Sequence, residues 1–333
     1  MVKIGIIGCG GIANLHMDML AKLKDRVQII AVCDLDEKKA IAAKEKTCAK
    51  KHFTDMQEML KLDINAILCC VPTLYHAKVV IDAAKSGKHI FCEKPIAMTL
   101  ADADNMIEVC KKAGVVFQVG FVRRFDEEWL KFRELVQSGV IGRPVIWRSA
   151  AGSHVPIKWF IDEKIGGGPF IDGCVHNFDF ALFTFGEEQL AIASLKKFRS
   201  DTTALDTGTA VVKFKSGDEL MLSWSWGLPA QCRGSTLHDA LGPAGAIIFP
   251  SGGNPEDKFM EFKIFNEKEK DKAEKVARDS IFKAFYKQME HFIDCVENKK
   301  EPIVTGEDGK KAIAIALAVI QSAKTGKPVV IGK

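Results

Sequence analysis

Lys3–Ala13 reads KIGIIGCGGIA. The apolar run Lys3–Ile7 predicts a buried strand, and Gly11–Leu23 predicts the helix that follows it. Between them, Gly8-Cys9-Gly10-Gly11-Ile12-Ala13 has the spacing G-x-G-x-x-A. Gly8 permits a tight turn, Gly10 lets backbone approach a pyrophosphate, and Ala13 lets the helix pack closely on its strand. Gly11 and Ile12 open the helix, where free N–H groups and the positive dipole end face an anion. Glycine-rich turns are common. A strand before this one and a helix after it, at the start of a βαβ unit, mark it as a dinucleotide fingerprint.

The second strand carries a companion signal. Ala31-Val32-Cys33-Asp34 ends in a carboxylate, about twenty residues past the glycines, where a ribose 2′-hydroxyl is held. An acid there accepts a bond from the hydroxyl and repels a 2′-phosphate, so NAD is expected and NADP disfavoured. Lys38 and Lys39 pull the other way. The structural alternative is that Asp34 only caps the next turn.

Working outward, strand-like runs recur at Gln28–Cys33, Ala66–Val71, His89–Cys92 and Val115–Val119, with helix-like stretches near Glu37–Glu45, Tyr75–Ser86 and Leu100–Ala113. Continuous apolar strands alternating with helices predict a doubly wound parallel sheet with right-handed crossovers, an α/β Rossmann domain over residues 1–121. After Phe121 the pattern changes. A helix near Glu127–Gln137 precedes strand candidates Val145–Ala150, Ile192–Phe198, Thr207–Phe214, Glu219–Trp226, Ala246–Phe249 and Phe259–Phe265. Leu220-Met221-Leu222-Ser223-Trp224 alternates, and Ser216-Gly217-Asp218 reads as a hairpin turn. Helices near Ser280–Glu297 and Asp308–Ala323 close the chain, and the Lys/Glu-rich Asn266–Asp279 reads as a solvated loop or helix start. Residues 122–333 thus form an α+β domain with a mostly antiparallel sheet covered on one face.

Composition narrows the function classes. The 333 residues are 47% apolar and 27% charged, with a net charge of +4, which gives no reason to invoke nucleic acid or a membrane surface. No 18-residue apolar run and no cleavable leader are seen. The ten cysteines make no CxxC pair, and Cys33, Cys69, Cys70 and Cys92 lie inside apolar runs. Buried reduced thiols and a cytoplasmic location are expected. Cys69-Cys70 as a vicinal redox pair is disfavoured, because neighbours in a strand point to opposite faces.

Two further stretches carry chemistry. His89–Met98 reads HIFCEKPIAM: a short strand, then Glu93 and Lys94 directly before Pro95. Proline restricts Lys94 to extended backbone just past a strand's carboxyl end, the edge where open α/β sheets bind ligands. The loop Pro72–His76 lies at the same edge. Against this stands the reading of Lys94 as an ordinary surface lysine. Gly166–Asp179 reads GGGPFIDGCVHNFD, a glycine turn, a proline suited to a first helical position, and Asp172 and His176 four apart on one face with Asp179 beyond. A carboxylate can fix the tautomer of an imidazole, which is matched to taking a hydroxyl proton near neutral pH. A nearby ammonium would stabilise the developing alkoxide. A structural i,i+4 pair is the alternative. His154, Asp172, His176 and Asp179 have no metal-motif spacing, and no metal is expected.

These segments together, with Val119–Phe125 (VGFVRRF) and Ser322–Pro328 (SAKTGKP), resemble the Gfo/Idh/MocA oxidoreductase family across essentially the whole chain. The resemblance implies a second domain built on a large open sheet, and homodimers or homotetramers. It implies that Lys94 touches nicotinamide and the reacting hydroxyl, with His176 as acid/base and Asp172 as its partner. Thr73, His76 and Glu93 would line the cofactor. Arg124, His154, Asn177 and Asp179 would contact the substrate, and Trp159 and Tyr286 would join them unless they only pack. Tyr75 and Glu127 depart from the usual pattern, which leaves the substrate loops in question. The expected activity is hydride transfer between NAD and a secondary hydroxyl of a sugar, cyclitol or other polyhydroxylated substrate. Two alternatives are a transient oxidation that cleaves glycosides and a sensor that binds dinucleotide and sugar without chemistry.

Overall fold

In the computed structural model, described over residues 1–155, 157–250, 258–266, 272–277 and 281–332, the chain forms two compact units. One holds residues 1–125 and 281–310, the other residues 126–280 and 311–333.

The first unit is built on six strands: β1 (Val2–Ile7), β2 (Val27–Cys33), β3 (Lys51–Phe53), β4 (Ala66–Cys69), β5 (His89–Cys92) and β6 (Phe117–Val119). All neighbours pair parallel, in the order β3-β2-β1-β4-β5-β6. The order reverses between β1 and β4, the topological switch point of a doubly wound sheet. Helices α1 (Gly11–Ala21), α2 (Glu37–Thr47), α3 (Met56–Leu60), α4 (His76–Lys85) and α5 (Leu100–Ala113) connect the strands. Side-chain caps from Asp36, Asp55 and Thr99 start three of them. β3 and α3 escape sequence patterning because three and five residues are too short to show a period.

The core of this unit joins Ile4, Ile6, Val32, Leu68 and Phe91 of the sheet to Met17 and Leu20 of α1. It also includes Met289, Phe292, Ile293 and Val296 of a late helix, α8 (Ile281–Asn298). Sequence order assigns that helix to the second domain; its apolar face packs in the first unit. The next helix carries a capping box at its start. Thr305 Oγ1 accepts the Asp308 N–H at 3.2 Å, and Asp308 Oδ2 accepts the Thr305 N–H at 2.8 Å.

The second unit contains a nine-stranded sheet. Its strands are β7 (Ile146–Gly152), β8 (Glu188–Lys196), β9 (Thr207–Phe214), β10 (Glu219–Ser225), β11 (Leu237–Gly242), β12 (Gly245–Ile248), β13 (Phe259–Asn266), β14 (Lys272–Ala277) and β15 (Val329–Val330). Their order is β14-β13-β12-β11-β7-β10-β9-β8-β15, antiparallel except for β7 beside β10. The hairpin at Ser216–Asp218 joins β9 to β10, with Gly217 at φ 87° and its N–H on the Phe214 carbonyl at 3.0 Å. One face packs on α6 (Glu127–Gln137) and α7 (Val175–Phe185), where Trp129, Phe132, Trp147, Phe180 and Phe249 meet edge to face or tilted.

Two strands correct the sequence reading. β14 falls in the Lys/Glu-rich stretch expected to be a loop or helix start, and it pairs with β13 at the sheet's end. Charged side chains suit a terminal strand, whose outer edge must not recruit another chain. Residues 267–271 and 278–279 of that stretch lie outside the described residues. β11, between β7 and β12, was not foreseen: its LHDALG carries histidine, aspartate and a terminal glycine.

Candidate active site

The carboxyl edge of the first unit's sheet collects four loops. After β1, Gly8 sits at φ 89°, and a Cβ there would stand 2.6 Å from the Cys70 carbonyl oxygen. Only glycine fits this conformation and this approach. Its N–H donates to the Cys33 carbonyl at 2.8 Å. Gly10 and Gly11 have the opposite surroundings, since a Cβ on either meets nothing within 4 Å. Gly10 is the N-cap of α1, so no side chain competes for the first N–H groups of the helix. Ile12 packs at the margin of the core. The open glycines and the uncapped helix start fit a dinucleotide pyrophosphate.

Asp34 follows β2. Its Oδ1 accepts the Asp36 N–H at 2.9 Å, and its Oδ2 accepts the Cys9 N–H at 2.7 Å. It therefore caps the next turn and also ties down the glycine loop. Thr73 opens the loop after β4; it is 2% exposed and its hydroxyl has no hydrogen-bond partner. A buried hydroxyl left unpaired is a group awaiting a ligand or water.

Lys94 follows β5, half-buried, between two buried neighbours, Glu93 and Pro95, and its peptide bond to Pro95 is cis. Glu93 turns inward. Its Oε1 lies 2.6 Å from His16 Nε2, and its Oε2 accepts the Lys94 N–H at 3.2 Å. His76 is also turned inward, with Nδ1 2.8 Å from the Pro95 carbonyl oxygen and Nε2 2.9 Å from that of Val71. Burial holds the His76 pKa below the ordinary imidazole range, against the pull of the two carbonyls.

Other expected site residues have evident structural tasks. Arg124 is buried; it donates to the Ile303 carbonyl at 3.1 Å and to Asp308 at 3.0 Å. Burial pushes the Asp308 carboxyl up, but the Arg124 charge and bonds from Thr305 outweigh it and bring it below the usual carboxylate range. Tyr286 lies on α8 in the first unit, half-buried at the core margin, with its hydroxyl donating to Glu290 at 3.0 Å.

In the second unit, Gly166–Gly173 is wound tightly. A Cβ on Gly166 would stand 2.6 Å from the Trp159 carbonyl oxygen, and one on Gly173 2.7 Å from the Trp226 ring. The segment Pro169–Gly173 is a π turn, closed by the Cys174 N–H on the Pro169 carbonyl at 2.7 Å. Asp172 thus lies in a widened turn before α7, where sequence spacing alone predicts one continuous α-helix. Such π segments recur at functional sites. Asp172 and Asp179 are buried and His176 is half-buried. Asn177 faces the sheet, donating to the Ser149 hydroxyl at 2.8 Å. His154 Nδ1 lies 2.9 Å from the Leu228 carbonyl oxygen. A carbonyl only accepts, so Nδ1 carries the hydrogen and the neutral ring keeps its lone pair on Nε2. Trp159 stacks on Phe160 at 3.9 Å, and Phe160 meets Trp226 edge-on at 5.8 Å.

Among the described residues, one trio of metal-ligand types lies close together: Cys69, His76 and Cys92, with donor atoms within 4.8 Å. Both His76 nitrogens already face carbonyls, and burial pushes the Cys92 thiol well above its usual range, opposing the thiolate a metal needs. Among those residues, no helix is long and apolar enough to cross a membrane. His16 was not foreseen as a site residue. Its one signal is its place among Ala13, Met17 and Leu20 on the core face of α1.

Comparison with known proteins matches residues 2–121 to the GFO_IDH_MocA oxidoreductase family, NAD-binding Rossmann fold, and residues 133–331 to its C-terminal alpha/beta domain. The chain is 30% identical to a myo-inositol 2-dehydrogenase of Thermotoga maritima over 337 residues, 96% of each chain. It is 26% identical to a scyllo-inositol 2-dehydrogenase (NAD(+)) of Bacillus subtilis, over 98% of this chain and 96% of that one. A crystal structure of a probable dehydrogenase from Thermotoga maritima superposes with a TM-score of 0.81 at 29% identity, covering 99% of each chain.

Proposed function

This chain belongs to the Gfo/Idh/MocA oxidoreductase family, and from that premise we propose that it is an NAD-dependent dehydrogenase acting on a secondary ring hydroxyl of a cyclitol or sugar. The observation that carries the reading is the shared carboxyl edge of one parallel sheet. The glycine loop, the unpaired Thr73 hydroxyl and Lys94 all follow strands there, on either side of the switch point between β1 and β4. Bound NAD supplies the hydride acceptor. Asp34 holds a ribose hydroxyl, and the start of α1 takes the pyrophosphate. Lys94 donates to the oxygen of the alcohol being oxidised and stabilises its developing charge. His176 takes the hydroxyl proton, with Asp172 as its partner. His154 offers Nε2 as an acceptor to a further hydroxyl. Trp159, Asn177 and Asp179 complete the substrate contacts, while the structural tasks of Arg124 and Tyr286 argue against a place for them in that set. The inositol dehydrogenases among its relatives favour a cyclitol.

The reading includes self-association of this chain. A register row crosses the sheet through Ile192, Val211, Met221, Arg148, Asp239 and Ile248. Ile192, Met221 and Ile248 are exposed on it, with Ile146 and Leu241 beside them. A sheet face that exposes these apolar side chains around the Arg148–Asp239 ion pair suits a second copy. Light scattering should give a dimer or tetramer, and Met221→Lys should shift it toward monomer.

The function is tested by NADH absorbance with NAD or NADP against inositols, aldoses, sugar acids and glycosides, with product chromatography in parallel. NADH formation with one substrate class is expected. Glycoside loss without NADH would establish transient oxidation instead. NAD and sugar binding with no chemistry on any substrate would establish a sensor.

A further inference from the structure

Lys94 is bracketed by two buried histidines. On one side, His16 Nε2 meets the Glu93 carboxylate at 2.6 Å, and the other oxygen of that carboxylate accepts the Lys94 N–H at 3.2 Å. On the other side, His76 Nδ1 lies 2.8 Å from the Pro95 carbonyl oxygen. Neither histidine is free to drift. The His16 ring is fully buried, edge-on to Phe91 at 5.1 Å and to Phe285 at 5.6 Å. The His76 ring sits between two carbonyl oxygens, with that of Val71 2.9 Å from Nε2; a neutral ring carries one hydrogen and bonds only one of them, and the proposal places it on Nδ1 toward Pro95. Glu93 is enclosed as well, for a Cβ on Gly120 would stand 3.1 Å from its Oε2.

The His16 tautomer follows from the contacts. Nδ1 is buried without a partner. A lone pair there is cheaper to strand than an N–H, so Nε2 carries the hydrogen that Glu93 accepts. His16 is also on α1, whose first turn faces the proposed pyrophosphate site. One rigid helix therefore addresses the phosphates with its start and grips the lysine loop from its second turn.

We propose that His16 and His76 are positioning residues, which fix Lys94 against the nicotinamide end of the cofactor by anchoring Glu93 and Pro95. The proposal rests on the reading of Lys94 as the group that meets the reacting hydroxyl. In this role each histidine acts through a neighbour of Lys94, His16 through Glu93 and His76 through Pro95.

The two anchors use different ring nitrogens, which makes the proposal separable from a general need for packing. A glutamine amide nitrogen reaches to about the position of imidazole Nε2, and an asparagine amide nitrogen to that of Nδ1. At position 16 the Nε2 bond matters, so His16→Gln should recover most of what His16→Asn loses. At position 76 the Nδ1 bond to Pro95 matters, so His76→Asn should recover and His76→Gln should not. The loss expected of the mismatched variants is about 10–100-fold in kcat, the scale of a misplacement near 1 Å. Their NAD affinity should stay within about threefold, because the glycine loop and Asp34 are intact.

Two readouts decide. One is kcat and KM with NAD and myo-inositol, normalised to NAD-binding sites. The other needs no substrate: the rate at which formaldehyde and borohydride methylate Lys94, read by peptide mass spectrometry with and without NADH, which borohydride leaves intact. NADH should shield Lys94 in the wild type and in the matched variants, and shield it poorly in the mismatched ones. A crossed Gln/Asn pattern supports the proposal. Equal behaviour of Gln and Asn at both positions, or loss of thermal stability with shielding unchanged, overturns it. Lys94→Ala runs alongside: if that variant keeps its turnover, the premise about Lys94 has failed, whatever the histidine variants do.

Discussion

Gly8 and Gly10 of the cofactor loop should respond oppositely to the same added methyl group. In Gly8→Ala the new Cβ meets Cys70 O, Cys70 C and Val71 N at 2.6, 2.7 and 2.8 Å, all backbone atoms beside a buried parallel strand. The φ of 89° adds a conformation that alanine resists. Left-handed backbone costs about 1–2 kcal/mol and overpacking about 1–3 kcal/mol. A total of about 2–5 kcal/mol corresponds to a fall in Tm of roughly 4–20 °C for a domain of this size. Gly10→Ala has open space around its Cβ and an ordinary φ of −77°. Its effect on the free protein should stay within about 1 kcal/mol, the reduced entropy of the unfolded chain offsetting a slightly poorer N-cap. The methyl instead occupies the space where the pyrophosphate is expected, and NAD affinity should fall at least about tenfold, or about 1.4 kcal/mol. Calorimetric titration with NAD and thermal unfolding with and without it measure both effects. If Gly10→Ala binds NAD normally, or unfolds as early as Gly8→Ala, the assignment of this loop is refuted.

Three further outcomes are expected. Lys94→Ala should lose about a hundredfold or more in kcat while NAD still binds, checked by steady-state kinetics beside NADH fluorescence titration. Asp34→Asn keeps an oxygen for the Cys9 N–H but removes the charge that repels a 2′-phosphate, so the ratio of kcat/KM for NADP to that for NAD should rise at least about tenfold. Asp308→Asn tests the partly buried pair with Arg124. A carboxyl held below its ordinary pKa stabilises the fold above that ordinary value, and the stabilisation is lost as pH falls through the lowered one. Urea unfolding should show the variant about 2–4 kcal/mol weaker at pH 7 and the difference shrinking below about pH 4.

Sequence pattern reaches different depths in the two units. The parallel sheet is legible because each buried strand is an apolar run bounded by a turn, and the glycine spacing fixes where β1 ends. The place of Lys94 follows from Pro95 and the strand before it. The inward turn of Glu93 and His76 does not, since a charged residue after a strand reads the same whether it faces a ligand or a histidine 77 positions away. The π turn at Asp172 is invisible for a related reason: Gly-Gly-Gly-Pro announces a helix start, but not how many residues its first turn will hold. β11 and β14 hide because their polar side chains suit strands whose surroundings only the fold supplies.

The late helix α8 has a consequence for how the protein is made. Its Met289, Phe292, Ile293 and Val296 are buried in the core begun by Ile4 and Ile6. At about 1.5–3 kcal/mol for each such side chain, they contribute on the order of 6–12 kcal/mol, comparable to the whole stability of a typical domain. A ribosome therefore delivers the last part of the nucleotide-binding core only after the second unit's strands from β7 to β14 have been synthesised. Until then the first sheet has one flank bare, exposing the apolar surface that α8 later covers. A gene fragment ending at residue 121 would preserve that exposed state permanently.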